Sequence, residues 1–72
     1  MAGPLVPENL SVTDALRLRR LALKLKQSDV ARLSGLQQSY ISGVERGERN
    51  LSLDNLEKIA CALGCRITLD LL

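Results

Sequence analysis

The chain contains no histidine, tryptophan or phenylalanine, and only one tyrosine and two cysteines in 72 residues. Without histidine it lacks the side chain whose ordinary pKa suits proton transfer near neutrality. No serine stands beside a base, no glycine-rich cofactor loop is present, and no carboxylate pair marks a cleft, so an enzyme is not expected. Cys61 and Cys65 have no histidine to complete a zinc site and are too few for a disulfide framework. No metal and no cofactor is therefore expected. Free thiols, and a start without a basic and then apolar leader, predict a cytoplasmic protein. No apolar run approaches the ~18–20 residues of a membrane span, so no membrane partner is expected.

Near-absence of aromatics leaves an aliphatic core, at 46% hydrophobic residues. That composition favours a small all-α domain over a β-sandwich. The length allows one domain, close to the lower limit for a self-sufficient core. Residues 1–10 contain Pro4 and Pro7, no periodicity and no basic residue, and are read as a flexible arm.

The segment Gln27–Arg46, QSDVARLSGLQQSYISGVER, carries most of the information. Val30 and Ala31 give one short helix an inner face, and Gly35 permits a tight turn. Leu36, Ile41 and Val44 anchor a second helix. This is helix-turn-helix spacing. Gln37, Gln38, Ser39, Tyr40 and Ser42 are left outward at the start of the second helix, and their neutral hydrogen-bonding groups suit base edges. From Arg17 to Arg32 there are six basic residues and one acidic, a local excess of +5 in a chain of net charge +2. Such a segment is either a phosphate-gripping surface or a solvated helix face.

Ser11 or Thr13 caps an expected first helix running to about Leu23, with Val12, Ala15, Leu16 and Leu23 on one face. Leu18 and Leu21 lie opposite, where the C-terminal segment or a second subunit is expected to cover them. The helices Gln27–Ser34 and Gln37–Arg46 follow, the latter ended by Gly47. Ser52 caps a fourth helix carrying Leu53, Leu56, Ile59, Ala60 and Leu63, with Cys61 assigned to the core and Gly64 as the stop. The domain is bounded at 11–64. In residues 65–72 the period changes to two: Cys65, Ile67, Leu69 and Leu71 alternate with polar residues. A short strand is expected, paired with the same strand of a second copy, with a fifth helix as the alternative.

Over Val12–Gly64 the sequence resembles the Cro/cI-type (Xre-like) helix-turn-helix regulators. The pairing of QxxVAxLSGLxxSYIS with ERGERN carries the resemblance. The segment YISGVERGERNLSLDNLEKIACALG is similar to restriction–modification controller proteins. The resemblance implies a four-helix lambda-repressor-like domain acting as a bacterial, nucleoid-associated homodimer. Its target would be a palindromic double-stranded operator, its own promoter in the controller group. Two departures stand out: Lys26 holds a place where Ser or Thr usually caps, and Gln38 one that is often Arg in the controller group. The tail looks like that of HipB-type antitoxins, which keeps a toxin kinase as an alternative partner.

A glutamine amide donates and accepts at once, so Gln38 suits adenine N6 and N7, with Gln37 and Ser39 beside it. The resemblance extends base contact to Tyr40; Ser42 lies on the same outward side. Arg46, Arg49 and Asn50 are read as phosphate contacts, with Arg46 also able to reach a base. Gln27 opens a helix whose free N–H groups favour an anion, and the resemblance gives it a phosphate. Lys26 and Arg17 are weaker phosphate candidates, with Arg19 and Lys24. The resemblance makes Arg20 and Glu45 a structural ion pair. Gly43 sits mid-helix either for close approach to DNA or through simple tolerance. The expected dimer seam is Leu63, Cys65, Ile67, Leu69 and Leu71.

Overall fold

Four helices follow one another in the computed structural model, which describes residues 11–66. The expected arm and residues 67–72, with Ile67, Leu69 and Leu71, lie outside the described residues. Helix α1 spans Val12–Ala22, α2 Gln27–Ser34, α3 Gln38–Glu45 and α4 Leu53–Ala62. Helix α2 packs on both α3 and α4, and α1 packs on α3. Leu16, Val30, Ala31, Ile41, Ile59 and Leu63 form the buried cluster, with Leu25, Leu36, Leu51 and Leu56 around it. Each large aliphatic side chain sealed there contributes about 2 kcal/mol.

Local chemistry sets the helix starts. Ser11 Oγ accepts from the Asp14 N–H at 3.1 Å, and Ser52 Oγ from the Asn55 N–H at 3.1 Å. Lys26 cannot cap α2 through its side chain. Instead the Asp29 carboxylate reaches back to the Lys26 N–H at 2.8 Å, half of a capping box. That hydrogen bond holds the Asp29 carboxyl below its ordinary range, against a small opposing effect of burial and with help from Arg32. Gly35 closes α2 at φ 76°, a conformation open to a residue without Cβ.

The end of α1 is the exception. Lys24, not a glycine, takes the left-handed conformation at φ 60°. Its N–H donates to the Leu21 carbonyl at 2.9 Å, and that of Leu25 to Arg20 at 3.1 Å. Only the residue type is unusual for this helix ending.

Among the described residues one ion pair joins distant parts of the fold. Arg20 donates to both Glu45 carboxylate oxygens, at 2.7 and 2.9 Å, and to the Leu25 carbonyl at 2.8 Å. Gln27 Nε2 donates to the same carboxylate at 3.0 Å. The side chains of Arg20 and Glu45 are only 11% and 8% exposed and border the same core residues. Burial alone would push the Glu45 carboxyl up; the Arg20 and Gln27 hydrogen bonds and the Arg20 charge reverse this and hold it low. Arg20 is held more firmly protonated by its bond to Glu45, burial opposing.

Several expected core positions are corrected. Val12, Ala15 and Leu23 are exposed; the inward side of α1 is Thr13, Leu16 and Arg20. The Arg20 stem fills a position where periodicity alone seeks an apolar residue. Leu53, in the first turn of α4, is 55% exposed. Cys61 is exposed, because the buried stripe of α4 is Leu56, Ile59, Ala60 and Leu63 and Cys61 is turned past it. Leu63 is 1% exposed within its own chain and cannot serve a dimer seam. Leu18 and Leu21 are half exposed, uncovered by any described residue.

These contacts set how stability responds to substitution and to pH. Arg20→Ala is expected to lower unfolding free energy by about 3 kcal/mol, because it strands a buried carboxylate. Breaking the exposed Asp14–Arg17 pair, 3.6 Å long, is expected to cost under about 1 kcal/mol, both variants being read by urea titration against the parent. With its folded pKa lowered, Glu45 stabilises fully above its unfolded value of about 4.3, and that contribution is lost as pH falls through the folded value. Glu45→Gln should therefore flatten the acid limb of stability; an unchanged limb would assign it to other carboxylates. Lys24→Gly should raise unfolding free energy by about 1 kcal/mol through relief of the left-handed conformation. A lower thermal midpoint would contradict that.

Candidate nucleic-acid interface

Ile41 and Val44 hold α3 in the core, at 1% and 2% exposed. Everything else about this helix follows from their direction. At 100° per residue, Gln38, Ser39, Ser42 and Arg46 fall within a sector of about 100° on the outer side. Gln37 occupies the N-cap position without using its side chain there. Gln37, Gln38 and Ser39 are exposed. The start of α3 thus offers two amides and a hydroxyl, each able to donate and accept. Ser42 Oγ accepts from Arg46 Nη1 one turn on, and Arg46 Nε donates to Glu48 at 3.0 Å. Arg46 is therefore aligned along the stripe.

Tyr40 lies on the flank of that stripe and is half buried. Its hydroxyl donates to the Asn50 carbonyl at 2.8 Å and accepts from Asn55 Nδ2 at 3.1 Å. The Arg49 guanidinium stands over its ring at 5.8 Å. Tyr40 thus ties α3 to the 46–52 loop and to α4, with one hydroxyl lone pair left. Gln27 lies at the first turn of α2 with its amide turned to Glu45. Lys26 is exposed beside it.

The basic segment is less free than its composition suggests. Arg20 is committed to Glu45. Arg19 Nε donates to the Leu63 carbonyl at 3.2 Å, at the negative end of α4. Arg17 pairs with Asp14 and Arg32 with Asp29, both at 3.6 Å on the surface. Among the described residues Lys24 and Lys26 have no ion-pair partner. Sequence reasoning missed Asn55 and the helix-ending role of Arg19. Nothing in the pattern marked Asn55, whereas a cation one helix away from a carbonyl end carries no local signal. No group of His, Cys, Asp or Glu among the described residues could hold a metal. None of the described helices is long and apolar enough to cross a membrane.

Two helices joined at a left-handed glycine, the second presenting amides and hydroxyls outward, define a helix-turn-helix protein. The chain belongs to the helix-turn-helix family HTH_3, which it matches over residues 16–69. Among curated relatives it is 41% identical over 59 residues to control protein C.BamHI of Bacillus amyloliquefaciens, covering 78% of this chain and 73% of that one. It is 45% identical over 49 residues to a hypothetical transcription factor of Neisseria meningitidis, 68% of this chain but 46% of that longer protein. Among solved structures it is similar to the restriction–modification controller protein C.AhdI from Aeromonas hydrophila. That match has TM-score 0.75 and 47% identity, over 79% of this chain and 86% of the other. A second controller, C.Esp1396I, has been solved as a tetramer with its natural 35 base-pair operator; it matches with TM-score 0.74 and 38% identity, over 76% and 72% of the two chains.

Proposed function

We propose that this chain is a sequence-specific regulator of transcription that binds a palindromic double-stranded operator as a homodimer, its own promoter being the target. The observation that carries this reading is the outward stripe of exposed Gln38, Ser39 and Arg46 with half-buried Ser42, on a helix fixed from behind by Ile41 and Val44. A helix of this kind fits the major groove, where amide pairs distinguish adenine from the other bases. Gln38 takes adenine, Gln37 and Ser39 flank it, and Arg46 reaches a base from the far end of the stripe. Ser42 aligns Arg46 and touches the same groove wall. Tyr40 contributes its ring edge, since its hydroxyl serves the loop.

Arg49, Asn50, Lys26, Gln27 and Arg17 are assigned to the phosphates. Gln27 retains an amide oxygen and one N–H beyond its bond to Glu45, and lies where the first-turn N–H groups of α2 attract an anion. The protein acts in the cytoplasm on bacterial DNA and is not an enzyme. Similarity to controller proteins over about 70% of their length favours operator regulation over neutralisation of a toxin kinase.

The dimer reading keeps Cys65, Ile67, Leu69 and Leu71 as the seam, in a strand exchanged about a two-fold axis. It is supported by the two-residue alternation of the tail and by the uncovered leucines of α1. Two copies place their reading helices about 34 Å apart, one turn of duplex.

Selection of bound sites from random duplexes tests the reading, with palindromic sites expected. Gln38→Ala should relax preference at one position per half-site, at a cost of about 1–3 kcal/mol. Arg49→Ala should weaken all sequences alike and make the salt dependence shallower, by about 0.9 per lost phosphate contact. Identical behaviour of the two variants would refute the division between base and phosphate roles. Truncation after Gly64 should shift sedimentation toward the monomer; an unchanged profile would remove the exchanged strand.

A further inference from the structure

Gly43 is buried in the middle of α3, where alanine is the stronger helix former. A methyl group placed there would stand 2.4 Å from Cγ of Arg49 and 3.4 Å from its Cδ. The clashing atom lies near the root of the side chain. Turning the guanidinium end alone cannot relieve it; the Arg49 side chain has to swing from its root or the backbone beneath it has to shift. From this trough the side chain continues to the Tyr40 ring, itself fixed by Asn50 and Asn55. Tyr40 and Gly43 are three residues apart and so share the flank of α3 that borders the outward stripe.

We propose that Gly43 is a positioning residue for DNA binding: its missing side chain is the trough that lays Arg49 across α3 and against Tyr40. A phosphate-gripping cation is thereby preset beside the reading stripe. The inference rests on the operator-binding reading above. It assigns the close approach at this glycine to the protein's own Arg49 rather than to DNA. A long side chain fixed before binding loses less freedom when it binds, which favours affinity.

The test compares full-length Gly43→Ala, Arg49→Ala and the double variant. Gly43→Ala is expected to fold with a thermal midpoint at or above the parent, yet to bind operator as weakly as Arg49→Ala and with the same shallower salt dependence. The double variant should be no weaker than Arg49→Ala alone, because both changes act through one side chain. Tyr40 is the single aromatic residue of the chain, so near-ultraviolet circular dichroism reads its surroundings alone. Both single variants should alter that signal alike. Parent-like binding by Gly43→Ala, or losses that multiply in the double variant, would overturn the proposal. Should the methyl group unfold the parent, the double variant is expected to refold, and its failure to do so would also count against the trough. A parent chain that binds no duplex sinks the operator reading instead. In that case an unchanged Tyr40 signal in Gly43→Ala refutes the placement of Arg49 as well.

Discussion

One carboxylate joins three of the four helices. Glu45, on α3, accepts from Arg20 of α1 through two parallel hydrogen bonds and from Gln27 of α2 through a third. Arg20 also holds the Leu25 carbonyl, so the same cluster fixes the turn between α1 and α2. A well-packed apolar replacement can match such a pair in stability. What an apolar contact lacks is direction. Planar guanidinium on planar carboxylate sets how α1 and α2 sit against α3, and hence the angle at which the outer side of α3 is presented. The cluster therefore matters more for the placement of the stripe than for the net free energy of folding.

Helix α3 divides its residues among four tasks within eight positions. Ile41 and Val44 face the core, Glu45 faces the ion pair, and Gln38, Ser39 and Ser42 face solvent. Tyr40 and Gly43 complete the circle by organising the following loop. Tyr40 bonds the backbone of Asn50 and the side chain of Asn55, while Gly43 admits the Arg49 stem. The loop is thus built against the reading helix and not merely attached to it. Few positions on such a helix can change without disturbing either the fold or the outward face.

The helix boundaries were legible because they depend on nearest neighbours. Ser11, Ser52 and Gly35 act within three residues of their own positions, and all helix ends fall within one or two residues of those expected. The outward positions at the start of α3 were legible for the same reason, since Ile41 and Val44 fix the phase. Inward residues of α1 were not. A pattern that seeks apolar side chains passes over Arg20, whose burial becomes tolerable only when Glu45 arrives from 25 residues away. Cys61 was misplaced by one position on α4, where Ala60 and Leu63 carry the buried edge. Lys24 gave no sign of a helix end because the sequence signal is a glycine and the backbone took the left-handed turn without one. Gly43 was visible as an anomaly, but its cause lies in a side chain six residues further on.

The local excess of +5 shows how counting charge can mislead. Arg20 neutralises Glu45, Arg19 faces a helix carbonyl, and Arg17 and Arg32 stand beside acids on their own helices. Exposed pairs of the last kind open at little cost when a phosphate approaches, whereas the first two cations are structural. Among the described residues of this segment only Lys24 and Lys26 stand without a carbonyl or carboxylate partner, while Arg17 and Arg32, like Arg46 and Lys58 further on, lie against exposed acids.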